Sequence, residues 1–563
     1  MSIPRPEHPN PQFERKEWLN LNGIWEFQLD MGKSGIERKM YELDHLEGQI
    51  VVPFCVESTL SGVQNLDFMP SVWYRRTFSV PENWNGGRVI LHFGAADYET
   101  FVYINKQLAG SHKGGYSSFE MDITSLLKAG DNSLIVCAQD DIRSCTQPRG
   151  KQSSLYHSSG CDYTRCTGIW QTVWLEHLPD SHLKSFRFYP DVENQSVGIE
   201  AELTGNEILS VEVSYKGKTV GQAQVQGEPV VHLTVPLTEK HLWEAGCGRL
   251  YDVKFIYGKD QVQSYFGLRS VRLDGLKFLL NGKSIFLRMV LDQGYYRDGI
   301  YTAKDDETLK RDIQLSMDMG FNGARLHQKV FEPRFLYHCD RAGYLVWGEF
   351  PSWGFTVFDQ NALVSLLPEW LEVLKRDCNH PSIIGWCPLN EIWRQTPEFQ
   401  PIVYQATKAY DPARPCIDVS GYTHVMKSEI FDVHDYDPDP KHFRETYRRL
   451  SEEGVWEDRF GYQYQGQPIF VSEYGGIRWD LDSDLPEGSW GYGESPETEK
   501  EFLERYRGLT DALLENDHVM GFCYTQLYDI EQEVNGLYTY DRKPKFDPGV
   551  IRAINSKKSP IEE

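Results

Sequence analysis

Two glutamates follow short apolar runs in the second half of the chain. Glu391 closes the stretch RDCNHPSIIGWCPLNE directly after Asn390, and Glu473 follows PIFVS and precedes YGG. A carboxylate at the end of a buried strand is either held by partners or used. One such residue alone is more commonly a salt-bridge partner or a neighbour of a helix start. A pair can do more. In retaining glycoside hydrolysis one carboxyl group protonates the leaving oxygen while a second, about 5–5.5 Å away, attacks the anomeric carbon. The two residues then need different proton affinities. The charge of Glu473 would keep a proton on Glu391, and Arg325, Tyr436 or Tyr474 would hold Glu473 ionised.

Such a pair needs a frame that brings distant strand ends together. From about residue 271 short apolar strands alternate with amphipathic helices. In DDETLKRDIQLSMDMGFNGARLH, Leu309, Ile313 and Met317 fall on one helix face, Gly320 stands where the helix should stop, and a strand follows. FLYHCDRAGYLVWGEF repeats the scheme with Gly343 as the stop. Eight strand-like segments can be placed, near 285–291, 322–326, 344–349, 383–389, 416–420, 431–434, 469–473 and 521–526. This predicts a (β/α)8 TIM barrel, since an open doubly wound sheet would lack its Gly-rich phosphate loop.

Active sites of such barrels lie at the C-terminal strand ends. Those ends carry Asp292, then Arg325 and His327, Glu349, Asn390 and Glu391, His434 and Tyr436, Glu473, and finally Gln526 and Asp529. Strands four and seven lie on opposite sides of an eight-stranded ring, so Glu391 and Glu473 are expected to face each other. His327 alone reads as a core histidine, and His327, His424 and His434 make no convincing metal set. A metal-dependent hydrolase is therefore the weaker alternative. Trp353, Trp393, Trp479 and Trp490 are packing residues with one or two expected to serve as sugar platforms.

The first part of the chain has a different texture. Residues 1–180 read as β-runs such as VWYRRTFSV, GRVILHF and NSLIVCAQD between turn residues, the pattern of a sandwich. Residues 181–270 alternate strictly, as at Val211, Val213 and Tyr215 or Tyr251, Val253 and Phe255, which predicts a smaller sandwich. The expected division is 1–180, 181–270 and 271–563.

Composition excludes several partners. A net charge of −24 over 563 residues argues against nucleic acid or an anionic membrane surface. No apolar run approaches the length of a membrane span, and the first twenty residues carry prolines and charges where a secretory signal needs an apolar stretch, so a cytoplasmic protein is expected. The 11 cysteines are scattered with no Cys-x-x-Cys pair, as expected of reduced thiols and not of a structural metal site.

The chain resembles glycoside hydrolase family 2, which holds β-galactosidases, β-glucuronidases and β-mannosidases. The stretch from Asn379 through His380, Pro381 and Ser382 to Asn390 and Glu391 is similar to the family's acid/base signature, and FVSEYGG is similar to its nucleophile strand. WYRRTF, LHFGAADYETFVYINKQLAGSHKGGYSSFEMDIT and GIWQTVWLE resemble its sugar-binding jelly roll, and LDGLKFLLNGKSIFLRMV resembles the lead-in to its barrel. The resemblance implies a jelly roll, an immunoglobulin-like sandwich and a catalytic TIM barrel. It implies an exo-acting retaining β-glycosidase with Glu391 as acid/base, Glu473 as nucleophile and Asn390 on the sugar 2-hydroxyl. It implies substrate contacts from Arg325, His327 and Tyr436, no cofactor, a small-molecule or oligosaccharide glycoside as partner, and a homo-oligomer. The alternative is a carbohydrate-binding protein on a decayed barrel.

Two departures bear on the sugar. The strand-two motif here is RLHQKV, with Gln328 and Lys329 where the family pattern has Tyr-Pro. The Asn-x-Lys clamp of β-glucuronidases is replaced by Glu533, Val534 and Asn535. A glucuronide is thereby disfavoured, while Lys329, Arg394 and Arg478 offer other partners for a sugar carboxylate. Neutral β-galactosides and β-hexuronides, galacturonides included, stay in competition. Asp292, Lys329, Trp353, Trp393, Tyr474, Arg478 and Trp490 complete the expected substrate contacts, and the segment 435–465 is expected to loop over the site.

Overall fold

The structure is a computed structural model that describes residues 3–356, 361–394, 396–456, 463–481 and 488–563. The chain begins with two facing antiparallel sheets. A six-stranded sheet, Gly23–Leu29 to Asp131–Gln139 among its members, packs on a four-stranded sheet that includes Arg88–Phe93 and Val173–Leu178. Between them lie Trp25, Leu91, Phe93, Val102 and Val136. The loop residues 140–167 leave this sandwich and pack against the barrel, where the Arg149 amide donates to the Trp353 carbonyl at 2.8 Å.

Alternation is read literally in the next unit. Leu183–Asp191, Ser196–Leu203 and Val230–Pro236 form one sheet, and Ile208–Tyr215, Lys218–Gln226, Tyr251–Tyr257 and Asp260–Phe266 the other. Val211, Val213, Val231, Val235, Val253 and Phe255 meet between the sheets while their sequence neighbours face water.

A short antiparallel sheet, starting at Val271–Asp274, leads into a parallel one. Its seven strands are ordered Ile383–Cys387, Leu345–Glu349, Gly323–Leu326, Leu287–Asp292, Val519–Thr525, Ile469–Gly475 and Phe431–Asp435. Ile383–Cys387 and most of Val519–Thr525 are apolar on both faces, as a sheet wrapped by helices requires, while Arg325, Asp432, His434, Ser472 and Glu473 interrupt the apolar pattern of their strands. The helix Asp306–Asp318 is capped by the Asp305 carboxylate, which accepts from the Thr308 amide, and it buries Leu309 and Ile313. Gly343 ends the helix Pro333–Ala342 in the left-handed region at φ 71°, where a Cβ would stand 2.4 Å from the Cys247 amide nitrogen.

The expected fifth strand, 416–420, differs. It meets its neighbour on one side only through isolated bridges, Trp386 with Cys416 and Asn390 with Ser420. On its other side no ladder forms. Instead the Gly421 amide donates to Asp432 Oδ1 at 2.6 Å, and Ser420 Oγ lies 2.9 Å from Ser472 Oγ. Polar side chains replace backbone pairing here, so the ring closes as seven regular strands and one irregular segment. The segment 435–465 also departs from a loop: Pro440–Glu453 is a helix capped by Asp439. Among the described residues no helix is long and apolar enough to cross a membrane.

Candidate active site

Alternation along Ile469–Gly475 points Glu473 into the barrel mouth and Tyr474 away from it. Tyr474 Oη lies 2.9 Å from Thr510 Oγ1 on the helix Glu499–Leu514, and its ring packs on Phe522 and Tyr524. The expected role of Tyr474 in holding Glu473 is thereby corrected, because successive strand residues face opposite sides.

Glu473 is held from three directions. Arg325 donates to its Oε1 at 2.9 Å, the Tyr436 hydroxyl donates to its Oε2, and His434 Nδ1 lies 3.4 Å from Oε2. Burial works against the charge, yet His434, Arg325, His327 and Lys151 outweigh it and keep the carboxyl well below the usual carboxylate range.

Arg325 organises this floor. Fully buried, it also donates to Glu349 Oε2 at 2.6 Å, to Asn390 Oδ1 at 2.5 Å and to the Ser472 carbonyl at 3.2 Å. Burial would raise the Glu349 carboxyl, but Arg325 and His327 bring it down to about 2. His327 Nδ1 lies 2.9 Å from Arg325 Nη2 and 3.1 Å from Glu349 Oε1. Burial and the nearby guanidinium lower its proton affinity.

Asn390 has its amide fixed by the same arginine. With Oδ1 committed to Arg325, Nδ2 faces the other way, is buried, and has no hydrogen-bond partner. The Asn390 amide nitrogen donates to Ser352 Oγ at 3.0 Å, and its carbonyl accepts from Trp353 Nε1 at 3.3 Å. The next residue, Glu391, adopts φ 51°, a left-handed conformation uncommon outside glycine, which turns its side chain back over the mouth.

Glu391, His434 and Glu473 each bring one oxygen or nitrogen to within 4.8 Å of the other two. His434 stands between the carboxylates, with Nδ1 2.9 Å from Glu391 Oε1. Its other nitrogen lies 2.9 Å from Ser420 Oγ. Burial opposes a charge on the ring, but Glu473 and Glu391 raise its proton affinity.

The wall comes from the first sandwich. Lys151, 6 % exposed, sets its ammonium 3.9 Å from the Trp353 ring centroid. Burial disfavours its charge, while Cys161, Glu533, Glu391 and Glu473 keep it protonated. Glu533 is buried beside it, accepting from the Tyr163 hydroxyl and from Asn535 Nδ2 at 3.0 Å. Desolvation raises its carboxyl. Tyr492 stacks on Tyr436 at 3.5 Å and completes the ring of groups.

Several expected contacts lie elsewhere. Lys329 donates to the Gly294 and Tyr301 carbonyls at 2.5 and 2.8 Å and sits among Trp170, Tyr296, Tyr301 and Phe331, so its cation belongs to an aromatic cage between domains. Burial there lowers its pKa to about 8. Asp292 Oδ1 accepts from Tyr528 Oη at 2.6 Å and the Gly294 amide at 2.9 Å, away from the pair. Arg478 pairs with Asp480, and Trp479 packs on Phe502 and Phe546. Trp490 stays beside the site, its ring edge-on to Tyr492 and its Nε1 donating to the Gly160 carbonyl at 2.7 Å, and Trp393, two residues past Glu391, is 60 % exposed beneath Arg394.

His434, Ser420, Glu349, Lys151, Tyr492 and Glu533 join the site beyond the sequence expectation. His434 and Glu349 had a signal in their strand-end positions. Lys151 had none, because it comes from a loop of another domain.

Comparisons with known proteins agree with this architecture. Residues 18–179 match the model of the sugar binding domain of glycosyl hydrolases family 2, residues 181–269 the family's middle model, and residues 271–552 its TIM barrel domain. A curated β-glucuronidase of Paenibacillus borealis is 25 % identical across 96 % of this chain and 96 % of its own length. A β-galactosidase of Thermoanaerobacter pseudethanolicus is 30 % identical over 56 % of this chain and 44 % of its own. The solved structure of a β-glucuronidase from Ruminococcus gnavus in complex with C6-substituted uronic isofagomine superposes with a TM-score of 0.82 at 20 % identity, covering 99 % of this chain and 100 % of that one.

Proposed function

The chain belongs to glycosyl hydrolases family 2 and is a glycoside hydrolase, and from that premise we propose an exo-acting retaining β-glycosidase that releases terminal β-linked hexosides by double displacement. The observation that carries the mechanism is the carboxylate pair, with oxygens of Glu391 and Glu473 within 4.8 Å of each other. Retaining enzymes hold their carboxyl groups about 5–5.5 Å apart and inverting enzymes about 6.5–9.5 Å, and the close approach of these oxygens supports the retaining reading.

In this reading Glu473, kept ionised by Arg325, Tyr436 and His434, attacks the anomeric carbon. Glu391 gives its proton to the glycosidic oxygen, and the sugar becomes an ester on Glu473. Glu391 then takes a proton from water as the hydroxyl displaces Glu473. Asn390 Nδ2, the buried donor without a partner, binds the 2-hydroxyl of the sugar. The reaction requires no cofactor.

The sugar transferred to Glu473 comes from a β-galactoside or from a β-hexuronide such as a galacturonide. Lys151 supports a uronide, whereas Glu533 in the same wall supports a sugar with hydroxyls only. The partner is a small-molecule or oligosaccharide glycoside, and family membership favours a homo-oligomer, which light scattering measures.

A panel of matched aryl β-galactoside, galacturonide, glucuronide and glucoside substrates tests the activity. Wild-type turnover should collapse in Glu473→Gln; turnover that survives this substitution removes Glu473 as nucleophile. Sugar binding without hydrolysis of any of the four would instead support a binding protein.

A further inference from the structure

The hydrogen-bond chain behind His434 has a direction. Ser472 Oγ donates to Asp432 Oδ1 at 2.7 Å, which uses its only proton. Ser472 therefore accepts from Ser420 Oγ, 2.9 Å away, and Ser420 in turn accepts from His434 Nε2 at 2.9 Å. The proton on Nε2 is thus fixed by a relay that ends on a buried carboxylate. Gly421 backs the imidazole at φ +66°, where a Cβ would be 2.5 Å from the ring, so only glycine leaves room for His434 there.

Nδ1 is left facing two carboxylates, Glu391 Oε1 at 2.9 Å and Glu473 Oε2 at 3.4 Å. No donor stands between them in this geometry, so a proton must occupy the Nδ1 to Oε1 contact. The other groups facing the ring are Arg325 from the second barrel strand, Asp432 from its own strand and Tyr422 beyond Gly421. The Glu391 to Nδ1 contact, the shorter of the two carboxylate contacts at 2.9 Å against 3.4 Å, has two atoms that can each hold the same proton.

Resting on the double-displacement reading above, we propose that His434 is a positioning residue that shares with Glu391 the single proton delivered to the leaving group. In the first step the C1–oxygen bond of the substrate breaks, a C1–Oε bond to Glu473 forms, and the proton leaves the Glu391–His434 pair for the departing oxygen. The pair goes from neutral to one negative charge as Glu473 goes from one negative charge to a neutral ester. Total charge in the mouth is conserved, so no new charge is buried. In the second step water supplies the proton back to the pair, its hydroxyl bonds to C1, and Glu473 leaves as carboxylate.

The test compares wild type with His434→Asn and Ser420→Ala. Asn at 434 keeps a polar side chain but cannot share a proton, and Ala at 420 keeps the imidazole and removes only its Nε2 anchor. The proposal expects the basic limb of kcat/KM to move at least one pH unit to lower pH in His434→Asn, and in the same direction but less in Ser420→Ala. It expects rates on an alkyl glycoside to fall at least tenfold more than on a dinitrophenyl glycoside, whose leaving group needs little proton assistance. An unmoved basic limb in both variants, or equal losses on the two leaving groups, overturns it. A wild-type protein inactive on every aryl glycoside would fail the glycosidase reading instead. The Ser420→Ala arm decides the matter if His434→Asn does not fold.

Discussion

Asn390 offers a perturbation whose consequence can be worked out from its surroundings. Its backbone is fixed independently of its side chain, the amide nitrogen on Ser352 Oγ and the carbonyl under Trp353 Nε1. Asn390→Ala therefore removes two polar atoms and leaves Glu391 where it is. Arg325 loses one acceptor and keeps Glu349, Glu473 and the Ser472 carbonyl. What remains is the lost Nδ2 donor, buried and without a partner in the free protein. Leaving such a donor unpaired costs about 1–3 kcal/mol, so a bond to the 2-hydroxyl realised in the transition state is worth about 5- to 150-fold in kcat/KM.

The assay is a cycle of four measurements: wild type and Asn390→Ala, each with an aryl β-glycoside and its 2-deoxy analogue. Removing the 2-hydroxyl changes the intrinsic reactivity of the sugar, but that effect is the same with both proteins and cancels in the cycle. If Nδ2 meets the 2-hydroxyl, wild type should lose about 5- to 150-fold more than Asn390→Ala when the hydroxyl is removed. Equal ratios in the two proteins refute the contact, whatever the absolute rates.

Other outcomes follow from the same geometry. An activated 2-deoxy-2-fluoro glycoside should slow the second step and leave a sugar ester on Glu473 detectable in a peptide digest by mass spectrometry; a label on another residue refutes the assignment. Lys151→Met should lower kcat/KM on aryl hexuronides by at least tenfold more than on galactosides if the ammonium contacts a sugar carboxylate; a uniform loss assigns it to Glu533 and the carboxylate pair. Burial raises Glu369 to about 8, so the folded state retains a proton that the unfolded chain releases near its ordinary value; stability falls as pH rises through that window, and Glu369→Gln should raise the thermal midpoint at pH 8 relative to wild type but not at pH 5. Activity should persist in a chelator, and its loss on metal removal would point to the metal-dependent alternative.

Much of the fold was legible because its signals are local. Period-two alternation at Val211 and Val213, or helix spacing at Leu309 and Ile313, is decided by a few neighbouring residues, and the core faces follow directly. The strand ends then single out Glu391 and Glu473 as candidates. The fifth strand was misread for the same reason: its apolar residues satisfy a local pattern, but the pairing that makes a strand depends on partners across the ring, where Asp432 and Ser472 offer side chains in place of a ladder. Tyr474 faces away from the mouth because alternation turns it to the opposite side, one residue past Glu473. Lys329 was misassigned because a basic residue near a strand end does not declare which carbonyls and rings lie around it; here they are Gly294, Tyr301 and Trp170.

Lys151 brings the first sandwich into the mouth of the barrel. Its loop leaves the first sandwich and closes on the barrel so tightly that a Cβ on Gly150 would stand 2.2 Å from the Gln328 carbonyl. The Arg149 amide donates to the Trp353 carbonyl at 2.8 Å, which places the neighbouring ammonium over the Trp353 ring. The mouth of the barrel carries carboxylates at Glu349, Glu391, Glu473 and, in its wall, Glu533 against cations at Arg325 and, when its proton is present, His434. Four acids against two bases would leave excess negative charge in a desolvated space, which lowers the acidity needed for proton donation. Lys151 supplies the missing cation from outside the barrel, and so the first sandwich sets the electrostatics of the pair as well as the shape of the mouth.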